Sequence, residues 1–171
     1  MRLAFWQQFD LWARQLWPFL LTFLLLLASA VPLPVPAYAA VAPSFLAMAV
    51  YFWTLHRPNL MPSSAVFVLG LLQDLISGAP VGASAIVLLA LRFAVLSQRR
   101  VLAGGSFLAV WAGFIVNASG AAFLSWVLHS IAYATLLNPQ PALFQFLLTV
   151  GLYPSIGWLM VRAQHALLKP T

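Results

Sequence analysis

Two acids stand among the charged side chains of this sequence, and one of them, Asp74, lies inside a long apolar run. It falls about 18 Å along a helix that begins near Pro62. A carboxyl at membrane depth is costly, so its presence points first to a proton or cation site. The other reading is structural: Asp74 caps the Gly78–Gly82 turn or bonds a neighbouring helix. A single acid makes no relay chain, which favours structure. Gly70, Asp74 and Gly78 recur at i+4 and share one helical face, with Pro80 and Gly82 in the turn beyond, so that face is expected to meet a close helix neighbour. Arg92 lies in the next apolar run, roughly 6–9 Å from its cationic end, where it can snorkel to the surface or, if the depths match, pair with Asp74. Gly113, Asn117, Ala121, Ser125 and His129 form one small and polar seam at i+4, and Gln145, Thr149, Tyr153 and Gly157 form another. Such seams pack helices in lipid, or line a cavity. Nucleophilic catalysis finds little support. Asn117-Ala118-Ser119-Gly120 approaches the G-x-S-G of intramembrane serine proteases but lacks the first glycine, and His129 lies about 15 Å further along the same helix. His56, His129 and His165 stand in separate segments, with no metal-ligand spacing, and no glycine loop suits a phosphate. No catalytic residue, metal or cofactor is expected.

The elements that carry these residues are hydrophobic. Of 171 residues, 64% are hydrophobic and 6% charged, with a mean hydropathy of +0.99. A soluble domain needs a charged surface, typically about a quarter of its residues. Soluble enzymes and disordered tails are thereby excluded, and so is a nucleic-acid binder: the isoelectric point near 10.9 arises from scattered arginines rather than a basic cluster. Cysteine is absent, so there is no disulfide or thiolate chemistry. The expected fold is all-α, a polytopic bundle of six transmembrane helices in a single membrane domain over 1–171. The spans run at about 17–31, 37–55, 62–76, 83–96, 105–131 and 142–161. Pro43 falls in the first turns of the second, and the third is short by roughly 8 Å for a bilayer core of about 30 Å. The stretch Val31-Pro32-Leu33-Pro34-Val35-Pro36 breaks the chain after the first span.

Residues 1–15 read as a short amphipathic helix on the membrane surface, with Trp6 and Phe9 on one face and the Asp10–Arg14 pair on another. A competing reading takes 1–30 as a signal peptide with Ala28-Ser29-Ala30 as its cleavage box. Arg2 and Arg14 precede span 1, Arg57 follows span 2, Arg99 and Arg100 follow span 4, and Arg162 and Lys169 follow span 6. Six spans put all of these on one side, which the positive-inside rule makes cytoplasmic, together with both termini.

The stretch Gly70-Leu71-Leu72-Gln73-Asp74-Leu75-Ile76-Ser77-Gly78-Ala79-Pro80-Val81-Gly82-Ala83-Ser84 resembles the signature of the rod shape-determining membrane protein MreD family. In that family a G-L-x-x-D segment ends the third span and a turn of small residues, Pro and Gly follows. Arg57-Pro58, Ser97-Gln98-Arg99-Arg100 and the tryptophans Trp111 and Trp126 also fit, and the resemblance covers most of the chain. It implies a non-enzymatic inner-membrane component of the cell elongation machinery. The implied partners are an MreC-like bitopic protein, the MreB cytoskeleton, RodA and a class B penicillin-binding transpeptidase, with the lipid bilayer as solvent and no nucleic acid. The family also resembles the substrate-binding components of energy-coupling-factor vitamin transporters, which keeps a ligand-binding subunit as the alternative.

Overall fold

Proline and serine decide where the second helix begins. Pro43 fixes its own φ and offers no N–H, and the Ser44 hydroxyl after it accepts from the Ala47 amide at 3.4 Å, capping the helix. In the computed structural model, which describes residues 17–30 and 42–167, the helices are α1 (Trp17–Ala30), α2 (Phe45–His56), α3 (Ser63–Ser77), α4 (Ala83–Leu102), α5 (Phe107–Ala132) and α6 (Gln140–Leu167). A 3₁₀ turn, Pro58–Leu60, joins α2 to α3. The described residues contain six helices and no strand, an all-α fold. The amphipathic segment expected over 1–15 precedes α1, and the alternative cleavage box Ala28-Ser29-Ala30 forms the last residues of that helix. Residues 1–16 lie outside the described residues, and with them the whole amphipathic segment, as does the alternate-proline stretch after Ala30.

Three expected boundaries are corrected. Pro43 precedes α2 rather than entering it, so that helix has 12 residues. The fourth helix does not stop at Leu96. Hydropathy falls there, but Ser97-Gln98-Arg99-Arg100 contains no breaker, and arginines in a last turn favour the negative end of the helix dipole. α4 therefore runs on to Leu102, before Gly104 and Gly105. The sixth helix is longer than expected and carries Pro154 inside it. A proline has no N–H for the carbonyl four residues back. That carbonyl, Val150 O, instead accepts from the Trp111 indole of α5 at 3.2 Å. The break in one helix's ladder thus becomes a bond between two.

Consecutive helices α3 to α6 pack in chain order, and α2 packs against α4 and α6. α2 is buried from Leu46 through Leu55, although a helix of this composition could face lipid. Tyr51 anchors it. Its ring meets Phe114 of α5 and Tyr153 of α6 edge-on, at 5.1 and 5.6 Å between centroids, and its hydroxyl donates to Val110 O at 2.8 Å. The outer helices are the reverse. α5 and residues Gln140–His165 of α6 are each long and apolar enough to cross a membrane, yet only 22% of either apolar window is buried. Phe107, Val116, Phe123, Leu143, Leu147 and Trp158 face outward. A core helix of a soluble protein would be covered. These exposed apolar faces belong to a membrane protein.

Candidate functional site: the α3–α4 junction

α3 ends where glycine allows a left-handed residue. Gly78, at φ 68, returns its N–H to Asp74 O, and the Ala79 N–H reaches the same carbonyl at 3.1 Å. Pro80 then turns the chain, its carbonyl accepting from the Ala83 amide at 3.1 Å. Gly82, at φ 98, is the N-cap of α4 and has no side chain with which to cap it. Asp74 supplies the missing acceptor from the preceding helix. Its Oδ2 accepts from Gly82 N–H at 2.8 Å and from Ser84 N–H at 3.2 Å, and Oδ1 lies 3.1 Å from the same Ser84 N–H. The side chain is fully buried. A carboxyl facing the positive end of a helix dipole is well placed electrostatically, and it satisfies two amides that have no partner within α4.

The two helices can meet at this depth because Gly70 lies one turn back along the same face. A β-carbon at Gly70 would stand 2.4 Å from Ala85 Cα and 2.7 Å from Ala85 N. The close approach fixes the register that brings Asp74 opposite Gly82 and Ser84. Five of the residues singled out by sequence, Gly70, Asp74, Gly78, Pro80 and Gly82, therefore form one junction.

The others lie elsewhere. Arg92 does not pair with Asp74. Its Nε donates to Ser63 Oγ at 3.1 Å, at the opposite end of α3, about 16 Å away along the axis. The antiparallel hairpin places the acid and the base at different depths, which removes the proposed pair. Asn117 sits in mid-bundle, donating to Gly113 O at 2.7 Å and to Gln98 Oε1 of α4 at 3.1 Å. Tyr153 stacks on Phe114 at 4.1 Å between centroids. Ser119 donates to Val116 O within its own helix and makes no contact with a histidine. Among the described residues no three His, Asp or Glu side chains gather as a metal site would need.

Beside the junction lies a cavity of about 750 Å³, bordered by Gln73 and Ser77 of α3, Ser84, and Ser125, His129 and Gln145 of the last two helices. The Nδ1 of His129 lies 2.8 Å from Ser125 O, a carbonyl that can only accept, so Nδ1 carries the proton. The sequence placed Gln145 and Thr149 on a packing seam but gave neither their partners nor a role for Ser84: Thr149 Oγ1 accepts from Ser44 N–H at 3.0 Å and Gln145 donates to Ala42 O at 2.9 Å. One signal was available for Ser84. A glycine at a helix N-cap leaves its amides without a side-chain acceptor, and Asp74 is the one carboxylate nearby in the sequence.

Residues 12–162 match the family model of the rod shape-determining protein MreD. The chain belongs to the MreD family. No curated protein and no solved structure matches it. MreD proteins are membrane-associated, shape-determining structural proteins, not known as enzymes, and they work in the cell-shape machinery with other membrane proteins. The junction occupies the segment that carried the resemblance, so the G-L-x-x-D pattern of this MreD-family chain is also the geometry that joins its third and fourth helices.

Proposed function

We propose that this MreD-family chain is a six-span inner-membrane scaffold of the elongation machinery, a single membrane domain over 1–171 with both termini cytoplasmic. The observation that carries the reading is the family match over residues 12–162. In this reading the protein does no chemistry. Gly70, Asp74, Gly78, Pro80 and Gly82 make the α3–α4 hairpin a fixed unit. Arg92, Asn117 and Tyr153 hold the bundle, and the exposed apolar faces of α5 and α6 meet lipid or partner helices. The partners are an MreC-like bitopic protein and, in the same assembly, MreB, RodA and a class B penicillin-binding transpeptidase, supporting lateral peptidoglycan synthesis.

The cations support the topology. Arg57 follows α2, Arg99 and Arg100 close α4, and Arg162 lies over the Trp158 ring at 4.3 Å near the end of α6. Reporter fusions after residues 58, 100 and 171 are expected to read cytoplasmic, and those near 34, 79 and 140 external. A cytoplasmic signal at 140 would remove the six-span arrangement. Depletion in a rod-shaped host is expected to give widened or rounded cells, and the tagged protein is expected to co-purify with an MreC-like protein in mild detergent. The cavity beside the junction favours a second reading, a substrate-binding subunit of an energy-coupling-factor type transporter, since its volume is that of small-molecule sites. Normal cell shape with loss of uptake of one vitamin would select that reading over the first.

A further inference from the structure

At the end of α3 opposite the Asp74 junction, no acid among the described residues neutralises the charge of Arg92. Arg92 is 8% exposed, and its Nη1 is buried with no hydrogen-bond partner. Its Nε donates to Ser63 Oγ, which puts the guanidinium at the first residue of α3. No side chain caps that helix, which begins after Pro62 and runs for 15 residues. Its first amides have no partner within the helix, and the dipole makes this end positive. Ser63 and Ser64 are exposed. Because the Ser63 hydroxyl accepts from Arg92, its own proton is left to donate. Arg57, Arg99 and Arg100 lie at the same end of the bundle. Arg99 Nε is already engaged with Leu55 O at 3.0 Å, and among the described residues the only acid is Asp74, at the other end. A charged donor buried without a partner is expensive, and the uncapped amides of a helix N-terminus beside a serine hydroxyl that is bonded to an arginine are the donor types that bind a phosphate.

We propose that the N-terminus of α3, with Ser63, Ser64 and Arg92, binds the phosphate of an anionic phospholipid. The lipid source follows from the face below the serines. Phe67 and Val68 lie four residues beyond Ser63 and Ser64, on the same helix faces, and are 42% and 45% exposed. Donors at the top of an apolar, outward-facing strip suit a headgroup with an acyl chain beneath it. A free inorganic anion would make no use of that strip. The site needs a membrane-embedded bundle, but not a particular orientation.

The test uses the full chain in mild detergent and the shift of its melting temperature on titration with dioleoyl phosphatidylglycerol, dioleoyl phosphatidylethanolamine or inorganic phosphate. The expected result is a saturable rise with phosphatidylglycerol, a response to phosphatidylethanolamine at least tenfold weaker, and none to phosphate at equal concentration. Arg92→Gln is expected to weaken the phosphatidylglycerol response at least tenfold, and Ser63→Ala about threefold. Each variant is read as the shift from its own lipid-free midpoint. Ser63→Ala changes an exposed side chain and so serves if the Arg92 variant does not fold. Arg100→Gln, at the same end but away from the site, is expected to bind as the parent does. Equal responses to the two lipids, an unchanged response in both site variants, or an equal loss in Arg100→Gln would overturn the proposal. Saturation by phosphate alone would overturn its lipid source.

Discussion

Replacing Asp74 with leucine is expected to lower the amount of folded protein in the membrane at least about fivefold. The carboxyl serves Gly82 N–H and Ser84 N–H in a fully buried position, and leucine leaves both amides unpaired. Each buried donor without a partner costs roughly 1–3 kcal/mol. The combined loss is a large share of a stability that is commonly only about 5–15 kcal/mol. Asp74→Asn should behave differently. One oxygen, Oδ2, already lies within reach of both amides, so an amide oxygen in its place keeps an acceptor for each; only the Oδ1 contact with Ser84 N–H at 3.1 Å is lost to an NH2 that cannot accept, and the membrane level should stay within about twofold of the parent. Quantifying the protein in washed membranes, alongside cell shape, separates the outcomes. An Asn variant that is abundant but inactive would make the ionised carboxyl, rather than the acceptor, the functional feature.

The second large effect is expected at Gly70. The atoms in the way of a new β-carbon are Ala85 Cα and N, at 2.4 and 2.7 Å. Both are backbone, so no side chain can swing aside and α4 itself must move. That movement pulls Gly82 and Ser84 away from Asp74. Overpacking a tight site costs about 1–3 kcal/mol. With the junction bonds loosened as well, Gly70→Ala should lie at or above the top of that range. A melting temperature in detergent lower by roughly 6–12 °C is the corresponding reading. Gly120→Ala and Gly151→Ala are the controls, since a β-carbon at either meets nothing within 4 Å. Both should stay within about 2 °C of the parent. Equal losses at all three glycines would show that the α3–α4 approach does not set the effect, since alanine in a helix interior is by itself favourable.

Much of this architecture can be read from the chain because prolines and glycines punctuate an otherwise uniform apolar text. Pro62, Gly78 and Gly82 bracket α3 and its turn, and Ser106 begins α5 close to where the sequence puts it. The end of α4 is harder to read, because hydropathy reports where lipid stops and not where helical hydrogen bonding stops. The start of α2 is misplaced for a related reason. Pro43 can sit in a helix's first turn, and only the Ser44 cap decides that it does not. At the junction, the face shared by Gly70 and Asp74 is legible from i+4 spacing, as is the acceptor role of the carboxyl. Its partners are not. A local turn would place them within four residues, whereas they lie eight and ten residues on, because the chain reverses and returns alongside itself. That distance depends on the register between two helices, which follows from Gly70 meeting Ala85. No one-dimensional pattern states such a pairing. The same register sends Arg92 to Ser63 and away from Asp74.

The stitching between α2 and α6 bears on the order in which the molecule can be completed during synthesis. The start of α2 is held by Thr149 and Gln145, 105 and 103 residues later in the chain. At roughly 5–20 residues per second, a ribosome needs about 5–20 s to make that stretch. Throughout that interval the Ser44 amide and the Ala42 carbonyl must find other company, and Tyr51 waits equally long for the ring of Tyr153. The most enclosed helix is therefore among the first made and among the last secured. Whatever attends the nascent chain in the membrane has to tolerate a half-built bundle whose central post is still open on the side that the final helix will close.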